Sequence, residues 1–229
     1  MTLSTSALCR VAVSASLLIA AVPAVAQTRD HAPVAMQSAS RMSQDSPGSE
    51  SWTFAEPRTA FQKYRTVIVE PTVVYQGPDA QFEGIDPAAR NEFAGIMTDA
   101  LRSEIAKTFP MPAKAQADTL RVRVTLLGAQ QTKGGIATAT RVTPLGFATS
   151  AVKSALGKKG TLTGSVLYAV ELFDARTNQL MLAAVRRRTP DPLDIPATLS
   201  TRDTVKAVAR EFADGARERL EDLTGARGG

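Results

Sequence analysis

The sequence predicts an α+β fold: a two-layer sandwich of a mainly antiparallel four-stranded sheet and two long helices, in the order β-α-β-(insert)-β-β-α. Three observations predict it. Segments beginning near Asp86 and Ser200 carry apolar residues at helical spacing behind capping residues. Residues 118–130 alternate, with Leu120, Val122, Val124 and Leu126 on one side and Arg121, Arg123 and Thr125 on the other, as a strand with one buried and one wet face does. Residues 161–174 and 179–189 are apolar runs joined by Asp174-Ala-Arg-Thr-Asn178, a tight reversal in which Asn accepts left-handed backbone, so the two strands are antiparallel neighbours. Two helices with one apolar face each cover one face of such a sheet.

Taken in order, residues 1–26 read as a cleavable signal peptide. Arg10 is the positive end, residues 11–22 are unbroken small and apolar residues, and Ala24-Val25-Ala26 is a small-x-small cleavage signal. The apolar run is about a dozen residues, short of the roughly 20 that a membrane span needs. The expected product is exported, periplasmic or secreted after cleavage following Ala26, with no transmembrane helix in the mature chain. Residues 27–60 are rich in Ser, Ala, Gln and Pro and are expected to form a flexible tail, with Trp52 and Phe54 docking at the domain edge. A single α+β domain is expected over 61–224, followed by a disordered C-terminus, 225–229.

Within that domain, residues 65–75 are β-branched and apolar and read as a strand, which Pro71 ends, bulges or marks as an edge. Asp86-Pro87 starts a helix, with Asp as cap and Pro in the first turn. Phe93, Ile96, Met97, Ala100, Leu101 and Ile105 then recur on one face, and Pro110 and Pro112 follow as stop signals. Ser200 and Asp203 resemble a capping box with Asp in the usual Glu position, ahead of a second apolar stripe from Val205 to Leu220.

Composition removes most of the enzyme repertoire. The 229 residues hold one His, one Cys and one Trp. Ser-His-Asp sites, His-based acid/base sites and Cys/His zinc sites require residues that are nearly absent. His31 lies in the tail, and Cys9 leaves with the signal peptide, so the mature chain has no thiol. Glu70, Asp86, Asp191 and Asp194 each sit beside or near a proline, as strand ends, helix starts and turns do. Gly157-Lys158 fails as a phosphate loop: Val152 stands where Gly is needed, and Lys159 where Ser or Thr is needed. The reading is no catalytic residue, no metal site and no cofactor.

The net charge is +5, and its distribution is uneven. Between Arg121 and Arg188, eleven basic residues face Glu171 and Asp174 as the only acids. The candidate contacts for an anionic partner are Arg121, Arg123, Lys153, Lys158, Lys159, Arg186 and Arg188. The insert, 133–160, carries Leu145, Ala148, Val152, Ala155 and Leu156 at helical spacing beside three of those lysines. It reads either as a basic amphipathic segment for an anionic surface or as a long loop with incidental periodicity. Nucleic acid is excluded as a partner, because the chain is expected to be exported and its strands lack regularly placed aromatics for base stacking.

The chain resembles the bacterial envelope family named domain of unknown function 3313, whose members are mostly lipoprotein-like, over about residues 61–224. The resemblance is carried by residues 64–73 (YRTVIVEPTV), by Thr143-Pro144-Leu145-Gly146 and Gly157-Lys158, by Gly164, and by residues 171–187. In the family's pattern an acidic strand is followed by a D-S-x-T-G-E turn and a strand ending in basic residues. Here Asn178 stands where that Gly is expected and Gln179 where the Glu is expected. A lipoprotein member would carry Cys just after its apolar signal. This chain has none there, which favours a soluble exported form. The resemblance implies no activity, cofactor or catalytic residue. The expected function is therefore a non-enzymatic envelope binding or adaptor module, acting on an envelope protein. The alternatives are a peripheral binder of anionic lipid surface acting through 133–160, and an unrecognised hydrolase.

Overall fold

The structure, a computed structural model, describes residues 32–47, 49–132, 164–191, 194 and 196–226. The expected signal peptide, His31, the insert with Lys153, Lys158 and Lys159, and residues 227–229 lie outside the described residues.

Local chemistry sets the element boundaries. Strands β1 (Ser43–Gln44) and β2 (Trp52–Ala55) come first, then β3 (Thr66–Val69) and β4 (Val73–Val74), which Pro71 separates. Helix α1 (Pro87–Ile105) begins as the sequence predicts, with the Asp86 side chain accepting from the Ala89 N–H and Pro87 in the first turn. Strand β5 (Thr119–Gln130) is followed by β6 (Ser165–Asp174) and β7 (Leu180–Arg188). Asn178 holds the left-handed backbone expected of it, at φ 60°. Helix α2 (Thr201–Thr224) starts at Ser200, whose Oγ accepts from the Asp203 N–H at 3.1 Å. The capping box differs in one respect. Asp203 accepts from the Ser200 hydroxyl at 2.6 Å, and no bond from the Ser200 N–H to it is formed. Gly225, at φ 73°, closes the helix in the left-handed conformation that L side chains avoid.

The α+β class stands, but the sheet differs from the expectation. It has seven strands rather than four, in the order β1-β2-β7-β6-β5-β3, with β4 also beside β5. β5, β6 and β7 form the antiparallel meander, whereas β3 and β4 pair with β5 in parallel. The parallel pairing follows from α1, which carries the chain back between β4 and β5. Of the three extra strands, one arises because Pro71 splits the expected strand 65–75 into β3 and β4, and two come from the stretch expected to be a flexible tail: β1 pairs with β2, and β2 pairs with β7 from Trp52↔Val185 to Ala55↔Leu182. Trp52 and Phe54 alternate onto one face of the sheet, so this short strand contributes apolar surface as well as ladder bonds.

The sheet is buried on both faces, which corrects the expectation of a wet face. On one side α1 and α2 lie against Leu120, Val122, Val124, Val166, Tyr168 and Leu172. The helices run in the same direction: Arg202 pairs with Glu92 near their starts, and Arg217 reaches Glu104 near their ends. On the other side, residues 32–42 cross the sheet as a strap. Met36, Ala39 and Met42 pack with Tyr75, Leu127, Leu167, Ala169, Phe173, Ala183 and Val185. Burial raises the pKa of the Tyr75 hydroxyl, which accepts from the Ala35 N–H and donates to Asp79 at 2.7 Å. A bulge at Leu126/Gly128 in β5 shifts the alternation by one residue, so that Leu127 faces the strap while Leu126 and Ala129 both face the helices. Gly128 is needed there because a Cβ would lie 2.5 Å from the Gln81 carbonyl oxygen.

Candidate functional site

Four of the seven candidate contacts lie among the described residues, and they do not form one basic surface. Arg121 and Arg123 are alternate residues of β5 on the strap side of the sheet, opposite Phe173 and Glu171 of β6. Both guanidinium groups sit over the Phe173 ring, at 5.2 and 5.1 Å from its centroid. Glu70, at the break that Pro71 imposes between β3 and β4, bridges them at 3.1 Å to Arg121 and 2.8 Å to Arg123. Arg121 also donates to the Asn178 side chain across the hairpin. Planar cations stacked on a ring and sharing one carboxylate are held in place, and that carboxylate offsets one of their two charges.

Arg186 lies on the helix side of β7, across from Tyr168. It pairs with Asp45 at 3.0 Å and donates to the Trp52 carbonyl oxygen and to the Thr53 hydroxyl. Arg187, on the opposite face, pairs with Glu50 at 2.8 Å and also donates to Ser165 and Gln81. These arginines fasten the β1–β2 hairpin to the meander. Arg188 is exposed at the end of β7, next to the Tyr168 hydroxyl, whose pKa burial raises against the lowering influence of Arg188.

Four of the six described basic residues between Arg121 and Arg188 are therefore paired with acids from outside that stretch. Counting charges along the chain found Glu171 and Asp174. It missed Glu70, Asp45 and Glu50, which tertiary contacts bring in. One signal was present in the sequence: the tail carries Asp45 and Glu50 on either side of the Ser-Pro-Gly turn, where a hairpin would place them next to a basic strand.

The hairpin end holds the most strongly perturbed carboxylate. Asp174 is 5% exposed. It accepts from the Tyr64 hydroxyl at 2.8 Å, from the Lys63 ammonium at 3.1 Å, and from the Arg176 and Thr177 N–H groups at 3.0 Å each. Burial alone raises its pKa. The bonds from Thr177, Tyr64, Lys63 and Arg176 outweigh burial and hold the carboxyl well below the usual carboxylate range. The same pairing, added to burial, pushes the Tyr64 hydroxyl far above its ordinary value. A carboxylate fixed in this state accepts hydrogen bonds and does not exchange protons near neutral pH. It secures the turn to the segment before β3.

Among the described residues there is no group of three or more His, Cys, Asp or Glu able to hold a metal ion, and no helix long and apolar enough to cross a membrane.

The sequence matches the family described as "Protein of unknown function (DUF3313)" over residues 35–216. That span reaches back past the expected domain start to include the strap, β1 and β2. No curated protein matches the sequence. Among solved structures, the PelC dodecamer from Paraburkholderia phytofirmans is similar at TM-score 0.38 and 17% identity, over 77% of this chain and 97% of that one. A point variant of that PelC protein is similar at TM-score 0.37 and 14% identity, over the same shares.

Proposed function

The chain belongs to the DUF3313 family of proteins of unknown function, and from that premise we propose that it is an exported, non-enzymatic binding module of the cell envelope. Its contact region is the end of the fold from which residues 133–163 leave the sheet. The observation that carries this reading is the state of the sheet. Both faces are covered, and Arg121, Arg123, Arg186 and Arg187 already have acidic partners. Residues 133–163 are different in composition: five basic residues, Lys153, Lys158 and Lys159 among them, and no acid.

The acids support a non-enzymatic reading. Asp86 caps α1, Asp174 holds the hairpin, Glu70 bridges two arginines, and Asp194 accepts from the Ala197 N–H. General acid/base work needs a group that changes protonation near the operating pH and reaches a substrate. These acids are engaged in holding the fold. The leader pattern over 1–26 supports export.

The test is crosslinking in living cells, followed by purification of the protein and mass spectrometry of what stays attached. A reproducible envelope protein attached through 133–163 is expected. Recovery of the protein alone would overturn the adaptor reading. The basic composition of 133–163 favours a second reading, in which the partner is an anionic membrane surface. It predicts sedimentation with phosphatidylglycerol vesicles that is lost when Lys153, Lys158 and Lys159 are changed to Glu. Retained sedimentation would sink it.

A further inference from the structure

We propose that the groove between α1 and the start of α2 binds the phosphate headgroup of a single anionic phospholipid. The groove has a volume of about 370 Å³, and its floor is apolar: Ile96 and Ala100 from α1, with Pro196 and Ala197 from the turn before α2. Lys206 and Arg210 of α2 line one wall, one helical turn apart, so both can converge on one anion. Neither forms an ion pair or hydrogen bond with any described residue, in a protein whose arginines are otherwise mostly paired. Asp203, the one acid in the lining, is engaged with Ser200. Leu199, whose N–H bonds the Pro196 carbonyl oxygen, is 54% exposed.

This combination selects the ligand class. Two unpaired cations along one wall of an apolar trough suit one compact anion carried on an aliphatic stem. An acidic peptide would need cations spaced along an extended track, and the groove offers one pair. The volume is at the low end of the range for ligand sites, which suits a headgroup and the start of its chains. The groove also borders the root of 133–163. The Thr132 N–H donates to Thr201, and the Thr132 hydroxyl bonds Thr204, both in the first turn of α2.

The proposal deepens the membrane-surface reading above, and its test separates the two. Isotope-labelled protein is titrated with dihexanoyl phosphatidylglycerol below its micelle concentration and followed by NMR. Saturable shifts at Ala100, Ala197 and residues 203–210 are expected. The double variant Lys206→Gln, Arg210→Gln should raise the Kd at least tenfold, and dihexanoyl phosphatidylcholine should bind at least tenfold more weakly. Changing Lys153, Lys158 and Lys159 to Glu should leave this Kd unchanged even where vesicle sedimentation is lost. Shifts unaffected by the double variant would overturn the site. Inorganic phosphate giving the same shifts at the same concentration would overturn the lipid assignment, as would a hexaglutamate peptide that displaces the lipid at lower concentration.

Discussion

Replacing Asp174 with Asn tests the reading of the hairpin end most sharply. Asn keeps the shape but presents one acceptor oxygen where the carboxylate presents two. Asp174 receives four donors, from Tyr64, Lys63, Arg176 and Thr177. Lys63 is 60% exposed and contributes little once water competes for it. Tyr64 is only 1% exposed, so its hydroxyl has no water to turn to. Hydrogen bonds to a charged group are worth about 1.5–3 kcal/mol each, and losing part of this set should cost about 3 kcal/mol at pH 7. The cost should depend on pH. The folded-state pKa of Asp174 lies below its unfolded value of about 3.9, so its contribution is present above that value and is lost as pH falls through the folded one. At pH 3 the wild-type protein should have lost about 1.3 kcal/mol of the advantage, because each pH unit below the unfolded pKa removes about 1.36 kcal/mol. Urea denaturation followed by circular dichroism at pH 7 and pH 3 measures both quantities. A penalty below about 1 kcal/mol at pH 7, or an equal penalty at the two pH values, would refute the reasoning.

Three further outcomes follow from the packing. Gly128→Ala sets a Cβ 2.5 Å from the Gln81 carbonyl oxygen, and should cost about 1–3 kcal/mol in the same denaturation assay. Tyr75→Phe removes the acceptor of the Ala35 N–H while keeping the ring, so amide exchange at Ala35 should quicken at least about tenfold with little change at β6. Met42→Ala, at the end of the strap, should cost about 2 kcal/mol, and an effect under about 0.5 kcal/mol would mean that the strap's packing contributes little.

What could be read from the sequence and what could not divide along a physical line. The α1 and α2 starts were legible because a cap is local: Asp86 and Ser200 sit within three residues of the N–H groups they satisfy. The β6–β7 hairpin was legible because its turn is short and Asn178 tolerates φ 60°. β1 and β2 were not legible. Both are short and β1 is polar, and they are strands because β7 offers an edge for β2 to pair with. Their one clue was the alternation of Trp52 and Phe54. The second buried face was missed for a related reason. Arg121 and Arg123 mark a wet face in the sequence, but their guanidinium groups lie over Phe173 and meet Glu70. The candidate site fared likewise, since Glu70, Asp45 and Glu50 reach their arginines only through the fold. Nothing in the sequence singles out Lys206 and Arg210, two exposed cations of α2. What distinguishes them is the apolar trough that α1 and residues 196–197 build beside them.

The central claim is that the partner meets the end of the fold carrying residues 133–163 and not the sheet's arginines. Site-specific photocrosslinking in living cells tests it directly, with the photoreactive residue placed at Leu156 in one strain and at Asn178, beside Arg121, in another. Crosslinks to an envelope partner or to lipid from position 156, with none above background from position 178, are the predicted result. Crosslinks from position 178 alone would contradict the account and return the contact to the hairpin and its arginines.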